Sequence, residues 1–351
     1  MKQQIIRSSQ IEKDLAQILA QLKYDGLFLL TDENTQKFCF PQIEKITEIQ
    51  SAKKYCIASG DSHKNVRTLA AVWSFLSENG ANRKSLLINL GGGMLTDLGG
   101  FAAATFKRGI RFINIPTTLL GAVDAAVGGK TGINFNGLKN ETGAFAPAIA
   151  VLINARFFQT LDAPNLLSGY AEMLKHALLD SQQALTELLL FDLENPDYPK
   201  LNDLLFESVQ VKQRIVEEDP TEQGIRKALN LGHTFGHAFE SLSYELNRPV
   251  LHGYAVAWGI VCELYLSFVK WGFDREILMK IAHFIRENYE SFPFGCKHYA
   301  RLYERMQHDK KNESGSINFT LLKAPGEIEI NQTASRKEIE ETLDFYCDFF
   351  H

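Results

Sequence analysis

The sequence predicts an α/β protein in which a Rossmann-like domain (residues 1–158) precedes a mainly α-helical domain (residues 159–351). Three observations predict this class. Short β-rich runs alternate with helical patterns through about residue 155, and helical periodicity dominates after about residue 160. In addition, one β-rich run leads directly into a glycine-rich turn, as expected where a strand meets a helix in βαβ units.

The N-terminal part contains five β-rich runs that predict strands. They are residues 26–31, 54–58, 85–89, 111–115 and 148–153, and residues 65–78 carry apolar side chains at helical spacing. Strands that are separated by helices predict a parallel sheet. In such sheets ligands bind at the carboxyl ends of the strands.

The C-terminal part is predicted to be helical. The helices are residues 171–190, 201–218, 228–246, 256–271 and 275–289, and prolines 196, 199, 220 and 249 fall between them, where helix ends are expected. Residues 319–322 and 327–330 predict a small β-hairpin.

Composition excludes several functional classes. The net charge of −5 argues against nucleic acid or an anionic membrane as the main partner, and 45% hydrophobic residues permit a large core. The five cysteines contain no Cys-x-x-Cys pair, which disfavours a disulfide framework and a thiolate zinc site. The sequence has no signal-peptide pattern and no run of about 18 apolar residues. We therefore expect a soluble cytoplasmic protein.

Residues 91–100 form the glycine-rich turn. Gly92 and Gly93 would let backbone N–H groups approach a pyrophosphate at a helix N-terminus, so the turn indicates nucleotide binding. The spacing is not Gly-x-Gly-x-x-Gly, and an ordinary strand-to-helix turn is the alternative. Asp32 follows the first strand and is placed to accept from a ribose hydroxyl, although aspartate is common after strands.

Residues 121–140 combine charges with glycines. Asp124, Lys130, Lys139 and Asn140 lie among glycines that allow close backbone approach to a ligand. Lysines supply point charges for phosphate, and asparagine both donates and accepts hydrogen bonds. The segment lacks the Walker spacing. It predicts an anion-binding segment, with a solvated loop as the alternative.

The histidines suggest a metal site. His233 and His237 are four residues apart, which predicts that both rings converge on one ion; His252 follows further along, and helix capping or packing is the alternative role. Arg226 and Asn230, in the same stretch, suit oxyanions.

A carboxylate and an ammonium precede the histidines. Glu172 and Lys175 are three residues apart within an apolar helix, where a surface ion pair is one interpretation. In the other, Glu172 joins histidines to form an open, three-ligand zinc site.

With these clusters identified, the chain resembles the 3-dehydroquinate synthase family of sugar phosphate cyclases. The resemblance runs from about Thr31 to Phe319 and depends most on Gly-Gly-Lys-Thr-Gly-Ile-Asn (128–134), Gly-Tyr-Ala-Glu-x-x-Lys (169–175) and Leu-Asn-x-Gly-His-Thr-Phe-Gly-His-Ala (229–238). It implies a phosphate-eliminating lyase with catalytic NAD, Zn²⁺ (or Co²⁺) and a homodimeric state.

The resemblance also implies residue roles. It assigns the metal to Glu172, His233 and His252, and this replaces the pair expected from spacing. Catalytic groups would be His237, Lys130, Glu222, Lys175 and Asp124. Substrate contacts would be Arg108 (from the other subunit), Asn140, Lys212, Arg226, Asn230 and Lys310. NAD contacts would be Asp32, Asn34, Asp61, Lys64, Gly92, Gly93, Asp97, Thr117, Thr118, Lys139, Phe157 and Thr160.

The implied reaction converts 3-deoxy-D-arabino-heptulosonate 7-phosphate to 3-dehydroquinate and phosphate, by oxidation, β-elimination, reduction, ring opening and aldol closure. Alternatives are a valiolone- or inosose-type cyclase, an NAD- and metal-dependent polyol dehydrogenase, and a non-catalytic paralogue. The chain departs from the family pattern at Asp61, Thr96, Ala125, Ala126 and Leu138, which bears on the nucleotide loops more than on the reaction type.

Overall fold

A computed structural model describes residues 3–308 and 317–351. The chain forms two compact units. The first comprises the chain up to Asp162 together with Asp197–Val209, and the second comprises Ala163–Pro196 and Gln210–His351. We predicted one boundary after residue 158. The sequence pattern did not predict that Asp197–Val209 belongs to the first unit.

The first unit is built on a six-stranded parallel sheet with the order β1-β8-β5-β4-β2-β3. These strands are β1 (Gln4–Arg7), β2 (Leu27–Asp32), β3 (Lys53–Ile57), β4 (Leu86–Gly91), β5 (Arg111–Pro116) and β8 (Ala150–Ile153). Its helices are α1 (Ile11–Gln21), α2 (Glu33–Phe38), α3 (Thr47–Ser51), α4 (Val66–Glu78) and α5 (Gly93–Thr105). All five predicted strands are present. The four-residue β1 was missed because so short a run carries no clear period.

Burial on both faces explains why the central strands are recognisable. Every residue of β2 and β4 is buried, as is usual for strands covered on both sides. In β4 the one polar side chain, Asn89, donates to Asn114 on β5 at 2.9 Å. A Cβ on Gly99 of α5 would lie 2.1 Å from Asn89 Oδ1, so any larger residue there would force the Asn89 side chain to move.

The second half of the predicted anion-binding segment, from Lys130, belongs to a β-hairpin rather than a loop. Strands β6 (Lys130–Phe135) and β7 (Leu138–Phe145) pair antiparallel as a separate two-stranded sheet in the first unit. The glycines obscured the strand pattern in the sequence, but the close pairing of β6 with β7 requires them. A Cβ on Gly143 would lie 2.1 Å from the carbonyl oxygen of Thr131.

The second unit is mainly helical. Its helices are α6 (Ala163–Asp180), α7 (Gln182–Leu189), α9 (His233–Glu245), α10 (His252–Trp271), α11 (Arg275–Asn288), α12 (Tyr299–Gln307) and α13 (Arg336–Phe350). Helix α8 (Tyr198–Glu218) contributes residues to both units, and β9 (Phe319–Ala324) and β10 (Glu327–Gln332) form the predicted hairpin. Among the described helices α10 alone has the length and apolarity to cross a membrane; its most apolar window is 72% buried, as in a core helix.

Two predicted helices required correction. The predicted helix 171–190 is interrupted at Ser181, whose side chain accepts from the backbone N–H of Ala184 and starts α7. The predicted helix 228–246 begins only at His233, because Gly232 adopts a left-handed conformation (φ 80°). Residues 225–230 form a 3₁₀ turn before it.

Candidate metal and nucleotide site

Three helices of the second unit bring a carboxylate and two imidazoles together. Glu172 lies on α6, His233 is the first residue of α9, and His252 is the first residue of α10. One ligand atom from each lies within 4.8 Å of the others. Glu172 Oε1 lies 3.5 Å from His233 Nε2 and 3.4 Å from His252 Nε2.

The environment of Glu172 fits a divalent cation. Its side chain is fully buried, and within the described residues neither carboxylate oxygen accepts a hydrogen bond of normal geometry. Lys175 forms an ion pair with the other oxygen, Oε2. Burial raises the pKa of Glu172, but Lys175 and His233 outweigh burial and hold it well below its usual range. An ionised carboxylate facing two imidazole nitrogens is a typical three-ligand zinc set that leaves a position open.

Hydrogen bonds to the other ring nitrogens orient both imidazoles. His233 Nδ1 lies 3.0 Å from the carbonyl oxygen of Leu231, and His252 Nδ1 lies 3.0 Å from Glu240 Oε2. Since both acceptors favour a proton on Nδ1, Nε2 of each ring is the nitrogen available to a metal. Burial lowers the pKa of His252, but the neighbouring carboxylates of Glu172 and Glu240 outweigh burial and raise it to about 10.

His237 lies beside this cluster and is not part of it. Its ring centre is 5.3 Å from that of His233 and 5.9 Å from that of His252. Helical spacing alone had paired His233 with His237 as ligands. The cluster instead takes its third member from α10, because the start of that helix lies against α9.

A buried carboxylate on α10 holds the start of α9. Glu263 accepts hydrogen bonds from the backbone N–H of Gly232 at 2.7 Å and of Thr234 at 3.1 Å, the two residues that flank His233. The close approach depends on Gly259, where a Cβ would lie 1.9 Å from the carbonyl oxygen of Gly232. Because Gly232 has no side chain to cap the helix, Glu263 performs that function from a neighbouring helix.

The loop before α9 contains two of the predicted substrate contacts, Arg226 and Asn230, and the predicted catalytic residue Glu222. Asp219 accepts from the backbone N–H of Gln223, Gly224 and Arg226 at 2.7–3.1 Å. Arg226 is buried, and its Nη1 donates to the carbonyl oxygen of Pro220 at 2.7 Å.

Glu222, in the same loop, has a left-handed backbone (φ 64°), and its Oε1 lies 3.5 Å from Asn230 Nδ2. Lys212 on α8 is also buried. Lys310 lies outside the described residues.

In the first unit, the predicted nucleotide-binding turns pack against one another. Gly92 and Gly93 follow β4, and Thr117 and Thr118 follow the adjacent strand β5. The N–H of Thr117 donates to the carbonyl oxygen of Gly91 at 3.0 Å, and a Cβ on Gly92 would lie 3.0 Å from Thr118 Cγ2. These turns therefore lie at the carboxyl ends of parallel strands, where nucleotides bind in this type of sheet.

Lys64 contacts two other predicted ligand-binding residues, Asp97 and Asn140. It is buried, its Nζ lies 2.6 Å from Asp97 Oδ2, and it also donates to Asn140 Oδ1. Asp61 Oδ2 accepts from Asn134 Nδ2 at 3.0 Å, which ties the β6–β7 hairpin to the same loop.

Asp32, a predicted NAD contact, is also the N-cap residue of a helix. It forms a capping box with Thr35 at the start of α2, with both hydrogen bonds at 2.9 Å. Its neighbour Asn34 is exposed.

The other predicted residues of the first unit are distributed more widely. Phe157 is fully buried in the middle of the 3₁₀ segment Ala155–Thr160, and Thr160 is exposed at its end. Asp124 lies in the turn Gly121–Ala125. Lys130 and Lys139 are exposed on the hairpin. Arg108 is exposed in a turn where residues 107, 108 and 109 all have positive φ (48°, 69° and 112°).

Comparison with known proteins identifies the family. The model of the 3-dehydroquinate synthase N-terminal region matches residues 54–168, and that of the 3-dehydroquinate synthase C-terminal region matches residues 169–312. The chain is 56% identical to a 3-dehydroquinate synthase of Parabacteroides distasonis, over 99% of both chains. The chain belongs to the 3-dehydroquinate synthase family.

Another member of the family is also similar to this chain, and two solved structures share its fold. A 3-dehydroquinate synthase of Clostridium tetani is 35% identical, over 91% of this chain and 86% of that protein. In fold, the chain matches 2-epi-5-epi-valiolone synthase from Streptomyces hygroscopicus, solved with NAD⁺ and Zn²⁺, with a TM-score of 0.83, 23% identity and coverage of 99% and 96%. It also matches 2-deoxy-scyllo-inosose synthase, solved with carbaglucose-6-phosphate, NAD⁺ and Co²⁺ (TM-score 0.82, 19% identity, coverage 97% and 95%).

Two carboxylates of this family member were not found by sequence reasoning. Glu240 and Glu263 contact the metal-ligand segments from positions 12 and 31 residues away along the chain. Of the two, only Glu240 had a spacing in the sequence that could have identified it. It lies seven residues after His233 and three after His237, and therefore on the same face of α9.

Proposed function

We propose that this chain converts 3-deoxy-D-arabino-heptulosonate 7-phosphate to 3-dehydroquinate and phosphate, as a lyase of the shikimate pathway. The observation that carries the proposal is the Glu172–His233–His252 cluster, in a chain that is 56% identical to a 3-dehydroquinate synthase over 99% of its length. The reaction needs an alcohol oxidation before phosphate can leave, and this cluster is suited to bind the ion that assists it.

Both cofactors have residues suited to hold them. NAD supplies the hydride acceptor and donor, so that the reaction has no net redox change. A divalent ion held by Glu172, His233 and His252 supplies a Lewis acid for the substrate hydroxyl. The NAD contacts that we propose are Asp32, Asn34, Asp61, Lys64, Gly92, Gly93, Asp97, Thr117, Thr118, Lys139, Phe157 and Thr160.

Phosphate elimination requires cations and donors around the leaving group. We assign this role to Lys130, Asn140, His237 and Lys310, with Arg108 of the partner subunit. The left-handed backbone at Asn140 (φ 51°) and its contact with Lys64 hold its amide in one orientation. His237 is beside the ligand cluster and can move a proton to the departing phosphate oxygen.

Two buried cations, Arg226 and Lys212, are suited to bind the carboxylate of the substrate. Arg226 and Lys212 are 2% and 6% exposed, so both are buried cations of the kind that can bind a carboxylate. We propose that these two residues, with Asn230, bind the carboxylate and reject cyclase substrates that lack it. Glu222, Lys175 and Asp124 would orient groups around the reacting carbons.

Several further statements belong to the same proposal. Residues 1–158 would bind NAD and residues 159–351 would bind the metal and part of the substrate. The enzyme would act as a homodimer in the cytoplasm, without nucleic acid or membrane partners.

The deciding assay is release of phosphate from 3-deoxy-D-arabino-heptulosonate 7-phosphate, with Zn²⁺ and trace NAD, while absorbance of NADH is followed. Release of phosphate without NADH accumulation, together with identification of 3-dehydroquinate, is the expected result. Release only from a carboxylate-free sugar phosphate would instead indicate a valiolone- or inosose-type cyclase. Net NADH would indicate a polyol dehydrogenase.

A variant tests the carboxylate assignment. Arg226→Ala should lower kcat/KM by about 100-fold or more, since a buried charge-assisted contact is lost, while zinc content stays native. An equal loss of zinc and of activity would contradict the assigned role.

A further inference from the structure

Glu240 contacts a metal ligand from a position that neither the motifs nor the assigned roles include. It lies on α9, is 8% exposed, and its Oε2 is 3.0 Å from His252 Nδ1 on α10. We propose that Glu240 is a positioning residue that holds the His252 ring and strengthens it as a metal ligand. The inference rests on the proposed metal centre.

The spacing on α9 places the ligand His233 and the carboxylate that contacts the ligand His252 on one face of that helix. His233 and Glu240 are seven residues apart, which is close to two full turns, so both side chains leave the helix on the same side. One helix therefore supplies a ligand directly and orients another ligand from its neighbour. A shift of α9 relative to α10 would disturb both ligands together.

The two histidine ligands differ in how strongly packing restrains the orientation of their rings. The His252 side chain is 27% exposed, whereas that of His233 is 11% exposed. His233 donates from Nδ1 to a neutral backbone carbonyl two residues away, that of Leu231. The Nδ1 atom of His252 instead contacts a carboxylate, that of Glu240. A more exposed ring is held less by packing, so its orientation depends more on the hydrogen bond.

A carboxylate acceptor also changes the ligand chemically. Hydrogen bonds to ionised acceptors are about twice as strong as neutral ones, and a carboxylate on Nδ1–H raises the basicity of Nε2. It also places a second negative charge, besides Glu172, near the bound cation. Both effects favour tight binding of a divalent ion, and loss of such partners in other metal sites lowers affinity about 10–100-fold.

Two variants separate the hydrogen bond from the charge. Glu240→Gln keeps a hydrogen-bond acceptor and removes the charge, whereas Glu240→Ala removes both. The matched control is Glu245→Gln, at the end of the same helix, where the carboxylate pairs with Arg305 and lies 4.0 Å from Arg301 at the surface.

The primary readout is the zinc dissociation constant of the full chain, measured by chelator competition after circular dichroism has shown native helix content. We expect a roughly 10-fold increase for Glu240→Gln and about 100-fold for Glu240→Ala, with native affinity for Glu245→Gln. The d–d spectrum of the Co²⁺-loaded protein should change only in the Glu240 variants. Native affinity and native Co²⁺ spectra in both would overturn the proposal.

A measurement on the unmodified protein keeps the proposal testable if the variants do not fold. In ¹⁵N-histidine NMR of the zinc-loaded chain, His252 should be bound through Nε2 and carry a hydrogen-bonded proton on Nδ1. Zinc on Nδ1 would refute the role of Glu240. Failure of the unmodified chain to bind zinc would instead refute the proposed metal centre itself.

Discussion

Glu263→Gln tests how the first residue of α9 is held in place. The carboxylate accepts two backbone hydrogen bonds, at 2.7 and 3.1 Å, in a fully buried position. Glutamine keeps the shape but has one acceptor oxygen, and its NH₂ group must face a backbone N–H. One charge-assisted bond is lost, the other becomes a neutral hydrogen bond, and the NH₂ group and the backbone N–H that it faces both lack an acceptor. We therefore expect the free energy of unfolding to fall by about 2–4 kcal/mol.

Urea unfolding of the metal-free protein, followed by tryptophan fluorescence, measures this change. Trp258 and Trp271 lie in the second unit, so a Trp73→Phe background confines the signal to that unit. With a urea dependence of about 2 kcal/mol per molar, the midpoint should fall by about 1–2 M.

The control is Glu340→Gln, which removes a charge of the same type from an exposed pair with Arg336 on α13. Its midpoint should change little, because surface pairs contribute about 0–1 kcal/mol. If the midpoint of Glu263→Gln equals that of Glu340→Gln, the structural argument for Glu263 is refuted.

Three further predictions concern the metal, a loop and a helix end. Removal of metal by a chelator should lower the melting temperature in calorimetry, and Zn²⁺ at 100 times its Kd should restore about 2.7 kcal/mol of stability; no shift on adding Zn²⁺ would contradict the site. Asp219→Asn weakens the hydrogen bonds to the N–H groups of Gly224 and Arg226 and should raise KM about 10-fold in steady-state kinetics, with zinc content unchanged. Hydrogen bonding to the Ser335 amide holds the pKa of Glu338 below its usual value, so Glu338→Gln should destabilise the protein at pH 7. The difference from the unmodified protein, measured by urea unfolding, should decline as the pH falls below the unfolded-state pKa of about 4.3 and vanish below the lowered pKa of the folded state.

The sequence predicted the parts of the fold that have a local pattern. Strands β2 and β4 were recognisable because burial on both faces demands an unbroken apolar run. The hairpin β6–β7 was not, because its residues are largely exposed and its glycines serve close backbone pairing rather than a loop. The start of α9 was misplaced because the conformation of Gly232 depends on Glu263 and Gly259 of another helix.

The sequence by itself determined the chemical inventory: ligands suited to a divalent cation, cations suited to phosphate and carboxylate, and glycine turns after parallel strands. Local spacing relates a residue to neighbours three or four positions away, and so it favoured His233 with His237. The family resemblance named Glu172, His233 and His252 instead, but only the tertiary structure shows how these three residues meet and that Glu240 and Glu263 support them. The physical reason is that these contacts join separate helices, α6, α9 and α10, whose approach depends on glycines and long-range packing that periodicity does not encode.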